Sequence, residues 1–171
     1  EIVTRSLAFQ NPARAPRDLW VLPWSEKHMR GCLETIRRRW PSDFEYAPNV
    51  YRASLREEGG QYEVGTYVDE WGCAFENLNW GLMGEVKQPL LENLSEWREE
   101  LVAPVDVLPV DEAAAIRTVN EAHDETDRFM MASSTTPRPW ERYQFLRGTV
   151  NAMMDVMDMD EDVRGILRTV H

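Results

Sequence analysis

Hydrophobic positions recur along the chain in two kinds of spacing, which together predict alternating helices and strands. Steps of three and four residues, typical of one helix face, join Met29, Leu33, Ile36 and Trp40. Similar spacing predicts helices at 2–9, 25–40, 94–101, 111–123, 139–148, 150–157 and 160–170. Short apolar or aromatic runs bounded by proline or polar residues predict strands at 18–24, 43–47 and 128–133. Alternation of strands with helices favours a parallel sheet.

One segment does not follow this alternation of predicted helices and strands. Residues 62–87 are rich in aromatic and β-branched side chains and are broken by Gly72, Gly81 and Gly84. This composition predicts a β-meander rather than a helix. The predicted fold class is therefore α/β, with a meander inserted after the second strand at about residues 61–90. Strand order alone also allows a doubly wound sheet.

Composition places limits on the partners. The chain has 171 residues, 43% of them hydrophobic, which predicts a single domain over residues 1–171. Its net charge of −11 argues against a nucleic-acid partner and against binding to an anionic membrane. Since the given sequence has no long apolar run and no basic-then-apolar start, neither a transmembrane helix nor a secretory signal is expected in it. The two cysteines are too few for a disulfide framework, so a cytoplasmic location is expected.

Four sequence motifs, two of them made of two stretches each, together suggest a family. Residues 69–73 read DEWGC, and 84–90 read GEVKQPL. Residues 11–16 read NPARAP and 41–43 read PSD, while 137–142 read PRPWER and precede FLRG at 145–148. In their order along the chain these motifs resemble the uroporphyrinogen decarboxylase superfamily. The resemblance is to its decarboxylase-like members near the corrinoid-dependent methyltransferases.

That resemblance implies a (β/α)8 barrel, a fold that takes about 250 residues. The chain is therefore expected to form the first half of such a barrel. A half barrel leaves two sheet edges open. We expect these edges to be paired in a homodimer or by a C-terminal half of the barrel.

Departures from the family pattern bear on the activity that the resemblance implies. The arginine-rich segment expected after the first strand is replaced by VLPWS at 21–25, and the expected aspartate segment is replaced by PNV at 48–50. Both differences argue against uroporphyrinogen as substrate. The preferred hypothesis is methyl transfer linked to a corrinoid protein. Alternatives are decarboxylation of a tetrapyrrole-type carboxylate and a non-catalytic fragment or assembly module.

Cofactors are expected from outside this chain. No pair of its histidines or cysteines has the spacing of metal ligands, so no metal site of its own is predicted. The resemblance implies that zinc, and a corrinoid as the methyl carrier, belong to the complete protein, with the zinc ligands in the other half of the barrel.

Four titratable residues are candidates for catalysis. Asp69, Glu70 and Glu76 lie among aromatic residues and are either acid–base groups or solvated rim residues. His28 lies one turn into the helix predicted after the first strand, where it is either a proton shuttle or an ordinary helix-surface residue.

Substrate-binding candidates flank two predicted strands. Trp20 and Trp24 would wall a flat pocket, or would pack in the core. Arg138 and Arg147 would hold a carboxylate or a corrinoid side chain, or would form ordinary surface ion pairs. The methionine-rich run at 153–159 is interpreted mainly as core filling, with a soft binding face as the alternative.

Overall fold

The computed structural model describes residues 1–132 and 139–171 and has a mixed α/β fold. The helices are α1 (Ile2–Leu7), α2 (Pro23–His28), α3 (Arg30–Arg39), α4 (Trp97–Glu100), α5 (Glu112–Asp124), α6 (Pro139–Arg147), α7 (Thr149–Asp158) and α8 (Glu161–Val170). The strands are β1 (Phe44–Tyr46), β2 (Gly65–Val68), β3 (Ala74–Asn77), β4 (Glu85–Gln88) and β5 (Phe129–Met131). Short 3-10 turns lie at Leu94–Glu96 and Val105–Val107.

The chain divides into two compact units. The first, called the N-unit here, comprises residues 1–51 with 109–133, and the second, called the insert unit, comprises 52–108 with 134–171. The predicted meander region therefore lies wholly in the insert unit.

The N-unit is built around a parallel pair of strands. β1 and β5 pair in register, with Phe44 opposite Phe129 and Tyr46 opposite Met131. The parallel direction is the one predicted from the alternation of elements. The two phenylalanine rings meet edge to face, with their centroids 6.0 Å apart. This sheet has two strands within the described residues.

The predicted strand at 18–24 is wrong. Residues 15–22 have no regular structure, and α2 begins at Pro23. Proline suits the first helical position, because it has no N–H to leave unpaired and its φ is already helical. A short apolar run does not by itself distinguish a buried strand from other structure, and Trp20 in this run is 76% exposed.

The insert unit contains a three-stranded antiparallel sheet with helices packed against it. β2, β3 and β4 pair in that order, so strands consecutive in sequence are neighbours in the sheet. Tyr67 and Phe75 are buried on one face, whereas their neighbours Thr66 and Glu76 are exposed on the other. This alternation is expected for an antiparallel sheet covered on one side.

Helices α6 and α8 contribute a large part of this core. Tyr143 and Leu146 of α6 are buried, as are three residues of α8: Val163, Ile166 and Val170. Asp160 caps α8 by accepting a hydrogen bond from the Val163 N–H at 2.9 Å. The amphipathic pattern therefore predicted α8 and its buried face correctly.

Candidate functional site

The candidate site is a buried ionic cluster that Asp69, Glu70 and Arg142 form within the insert unit. Asp69 and Glu70 follow β2, and Arg142 lies on α6. All three are buried, and the exposed fraction of Arg142 is 2%. The interpretation of the two acids as solvated rim residues is therefore wrong.

The two carboxylate oxygens of Asp69 accept hydrogen bonds from different parts of the insert unit. Its Oδ1 accepts hydrogen bonds from the backbone N–H groups of Trp71, at 3.0 Å, and Cys73, at 2.8 Å. This fixes the turn between β2 and β3, in which Gly72 has a φ of 89°. Its Oδ2 accepts a hydrogen bond from an Arg142 Nη atom. The turn thus places Oδ2 of Asp69 beside the guanidinium of Arg142.

Arg142 joins the turn to α6. Its second Nη atom donates to Oε1 of Glu70 at 2.8 Å. Its guanidinium carbon lies 5.5 Å from the ring centroid of Trp71 and 5.6 Å from that of Phe145. A guanidinium suits this place because it stacks on rings while its planar fork binds carboxylates.

The cluster carries an excess of negative charge. Two buried carboxylates face one guanidinium, and burial raises the pKa of Glu70 in spite of the opposing effect of Arg142. Burial also raises the pKa of the Cys73 thiol to about 12, although Arg142 lies 3.8 Å from its sulfur. Cys73 is thus a protonated thiol near neutrality and a poor nucleophile. Glu70 is the group in the cluster best suited to hold a proton.

Two buried N–H groups of the cluster, Arg142 Nε and Trp71 Nε1, have no hydrogen-bond acceptor among the described residues. Each such group costs about 1–3 kcal/mol relative to a paired one.

Arg147, a predicted substrate-binding residue, lies in a second network of the insert unit. Its Nε donates to Asp155 at 2.7 Å, and its Nη1 donates to the carbonyl oxygens of Leu91, at 2.8 Å, and Glu92, at 2.6 Å. The Tyr143 hydroxyl donates to the same carboxylate at 2.8 Å. These contacts tie α6 and α7 to the segment after β4, and they occupy the guanidinium of Arg147.

The remaining predicted site residues that the structure describes lie outside the cluster. Glu76 is exposed and accepts a hydrogen bond from Thr66 at 3.0 Å. Trp24 stacks on His28 with centroids 4.6 Å apart, and the His28 Nδ1 lies 2.8 Å from the Trp24 carbonyl oxygen. Trp20 is exposed. Arg138 lies outside the described residues. Roles in catalysis or substrate binding stay predictions for these residues.

Arg142, which joins the cluster to α6, is not among the arginines predicted to bind substrate, Arg138 and Arg147. The signal was its position one helical turn before Leu146 and next to Tyr143, on the buried face of α6. An arginine on such a face needs carboxylates, and the adjacent pair Asp69 and Glu70 supplies them.

Comparison with known proteins gives no relative: no family model, no curated protein and no solved structure matches the chain. Within residues 1–132 and 139–171, no group of three or more His, Cys, Asp or Glu side chains is placed to hold a metal ion. None of the helices in that part of the chain combines the length and the apolar character needed to span a bilayer.

Proposed function

We propose that this chain forms part of a uroporphyrinogen decarboxylase-like (β/α)8 barrel whose complete form catalyses corrinoid-linked methyl transfer. One observation carries the proposal. Arg142 binds both Asp69 and Glu70, so two of the stretches on which the family resemblance rests meet in one buried cluster. Residues that a family needs for its architecture or its site are expected to converge in this way.

The parallel pair β1 and β5 supports the barrel part of the proposal. Parallel sheets occur almost only where both faces are covered and several strands pair side by side. β1 and β5 have three residues each, and Tyr46 and Met131 at their ends are exposed. In the proposed complete barrel, further strands from a second copy or from a C-terminal half extend this pair.

The proposed reaction moves a methyl group from a methylated corrinoid to a thiol. The methyl group leaves cobalt without its bonding electron pair and joins the thiolate sulfur. Cobalt(III) thereby becomes cobalt(I), and the thiol proton is released. Zinc, when bound, would lower the pKa of the accepting thiol. The described residues offer no ligand set for it, so we assign this chain no step at zinc.

The contribution of this chain is positional. Arg142 holds the Asp69 turn against α6, and Glu70 provides a buried carboxyl group with a raised pKa beside it. A carboxyl group whose pKa is raised by burial is better suited than an exposed one to donating a hydrogen bond or a proton.

Two alternatives remain as proposals of lower rank. Decarboxylation of a tetrapyrrole-type carboxylate needs a cationic site, whereas Arg142 and Arg147 are already bound to carboxylates of this chain. A non-catalytic assembly module would use the ionic cluster only for stability.

The deciding experiment incubates the full-length protein with methylcobalamin and a small thiol and follows the cobalt absorbance spectrum. We expect thiol-dependent loss of methylcobalamin with formation of cob(I)alamin. Release of CO2 from a tetrapyrrole carboxylate, without demethylation, would favour the decarboxylase. Absence of both reactions would leave the assembly module. Light scattering on the same sample measures whether copies associate.

A matched pair of variants relates the cluster to that activity. Glu70→Gln removes the buried carboxyl group, and Glu99→Gln removes an exposed one from α4. We expect a lowered kcat and a changed pH profile for Glu70→Gln alone. Identical pH profiles for both variants and the wild type would separate the cluster from catalysis.

A further inference from the structure

The hairpin formed by α2 and α3 (residues 23–40) is positively charged, in contrast to the rest of the chain. It contains five lysine or arginine residues and two glutamates, so its net charge is +3. Because the whole chain has a net charge of −11, the other residues together carry −14. The last turn of α3 includes Arg37, Arg38 and Arg39, all of them exposed. The chain therefore has a cationic surface at the C-terminal end of α3, although it is acidic overall.

The carboxylates of the hairpin leave two of these arginines without a salt bridge. Glu26 of α2 accepts hydrogen bonds from both Nη atoms of Arg37. Glu34 lies one turn before Arg38, but within residues 1–132 and 139–171 no carboxylate forms a salt bridge with Arg38 or Arg39. The C-terminal end of a helix acts as about half a negative charge, so it offsets only part of the two remaining charges.

The packing of α3 holds this surface in place. Leu33 is buried, and the pair that Arg37 forms with Glu26 joins the last turn of α3 to α2. The guanidinium carbon of Arg39 lies 4.8 Å from the ring centroid of Trp40, whose side chain is 44% exposed. Attraction between the cation and the ring favours this arrangement. The end of α3 thus presents unpaired guanidinium groups beside an accessible apolar ring.

We propose that Arg38, Arg39 and Trp40 bind a short acidic segment of a partner protein, an interaction that goes beyond the methyl transfer proposed above. Guanidinium groups bind carboxylates through paired hydrogen bonds. Tryptophan and arginine are also the residues that most often dominate binding at protein interfaces. The segment that fits this surface carries carboxylates for the two arginines and apolar side chains for the tryptophan.

Two other occupants fit the charge distribution less well. A nucleic acid extends past the last turn of α3 and would then meet the negative charge of the remaining residues. A second copy of this chain would bring together two molecules that each have a net charge of −11. That contact would also join a basic surface to a different, acidic one, and such contacts continue into rings or filaments. A short acidic segment covers the cationic surface alone.

The test measures binding of a fluorescent synthetic peptide of about 14 residues, long enough for about four helical turns. Its helix has glutamate on one face and leucine on the other. A leucine–lysine peptide and a single-stranded thymidine oligonucleotide of equal negative charge are the control probes. We expect the full-length protein to bind only the glutamate peptide, and to bind it more weakly as NaCl rises from about 0.05 to 0.5 M.

Three variants locate the binding surface. Arg38→Gln/Arg39→Gln should weaken binding of the glutamate peptide at least about tenfold, a loss of about 1.4 kcal/mol. Arg117→Gln/Arg168→Gln removes two exposed arginines elsewhere, so it changes the net charge equally and should leave binding unchanged. Arg38→Lys/Arg39→Lys keeps the charge but not the planar fork, and should show an intermediate loss. Circular dichroism confirms that each variant is folded.

Three results would overturn the proposal. The first is equal binding of the lysine peptide or the oligonucleotide. The second is unchanged binding by Arg38→Gln/Arg39→Gln, or an equal loss in the variant that lacks the two other arginines. The third is failure of the wild type to bind, whether the surface is then covered by a second copy, seen as an oligomer that Arg38→Gln/Arg39→Gln abolishes, or by another part of the full-length chain.

Discussion

The N-unit and the insert unit bury very different amounts of apolar surface. Of the fifteen buried hydrophobic residues among those described, Val3 and Leu33 belong to the N-unit and the other thirteen to the insert unit. The N-unit nevertheless contains several large apolar side chains that stay exposed, among them Phe9, Trp20 and Trp40. Its composition is therefore that of a core-forming region, but its own elements do not enclose a core.

The two sheets explain much of this difference. The antiparallel sheet of the insert unit needs cover on one face only, and α6 and α8 help to supply it. A parallel pair needs cover on both faces and more strands beside it. Architecture thus decides which unit is complete by itself, and this is the reason we propose further strands next to β1 and β5.

The ion pairs of the two units also differ in how deeply they are buried. Arg142 is buried with both of its carboxylate partners, whereas Arg14 and Asp43 of the N-unit form a half-buried pair with N–O distances of 2.6 and 2.7 Å. Removing one partner from a buried pair leaves an unpaired charge in a medium that solvates it poorly. A half-exposed pair leaves a charge that water solvates.

The largest expected effect therefore concerns Arg142. Arg142→Met should lower the free energy of unfolding by about 3–5 kcal/mol, because Asp69 and Glu70 would remain buried without a cation. Arg14→Met in the N-unit is the matched control, with an expected loss of about 1 kcal/mol. Urea unfolding followed by circular dichroism measures both. Equal losses would contradict the contrast between the two units.

Apolar truncation gives the next effect. Leu146→Ala should cost about 2–5 kcal/mol, because the side chain is fully buried and a cavity would remain. Leu7→Ala in α1 removes a side chain that is exposed and should cost less than about 0.5 kcal/mol. The same urea titration applies. A large loss for Leu7→Ala would show that the N-unit packs against something in solution.

The pH dependence should have opposite signs in the two units. Arg14 lowers the pKa of Asp43 to about 2, so its stabilising effect is present above its ordinary pKa of 3.8 and is lost as pH falls toward 2. Burial raises the pKa of Glu70, so the advantage of its protonated form is lost as pH rises through that raised value.

Two variants separate these contributions in urea midpoints measured from about pH 2 to 7. Asp43→Asn should remove part of the stability loss that occurs as pH falls below the ordinary pKa of aspartate. Glu70→Gln should remove part of the stability loss that occurs as pH rises above the ordinary pKa of glutamate. A Glu70→Gln curve parallel to that of the wild type would mean that the pKa of Glu70 is not raised by folding.

The smallest expected effect concerns Trp20. Trp20→Ala should change the free energy of unfolding by less than about 0.5 kcal/mol, since the side chain is mostly exposed. Trp71→Ala, at the buried tryptophan beside Arg142, should cost about 3–5 kcal/mol. Thermal unfolding ranks the two directly. A costly Trp20→Ala would point to a partner covering the segment before α2.

The candidate site was partly predictable. Asp69 and Glu70 were candidates from their aromatic surroundings and from the family resemblance, but periodicity does not show whether a carboxylate after a strand faces solvent or the core. That depends on what packs above the turn. The residue that packs there is Arg142 of α6, which lies 72 residues after Glu70 in the chain. Arg147 was predicted as a binding residue, whereas its contacts depend on tertiary packing: Asp155 is placed by how α6 meets α7, and the two carbonyl groups by how α6 meets the segment after β4.

The sequence by itself determined most elements, because their causes are local. Helix spacing predicted α8 and also α5, whose N-cap Asp111 accepts a hydrogen bond from the Ala114 N–H, and the aromatic, glycine-broken segment 62–87 contains β2 and β3. The tertiary structure alone decided burial. It left Trp20, Met154 and Met157 exposed to solvent, although the methionine run 153–159 was expected mainly to fill the core. It also enclosed Arg142. Burial depends on which distant surface covers a residue, and local spacing carries no information about that surface.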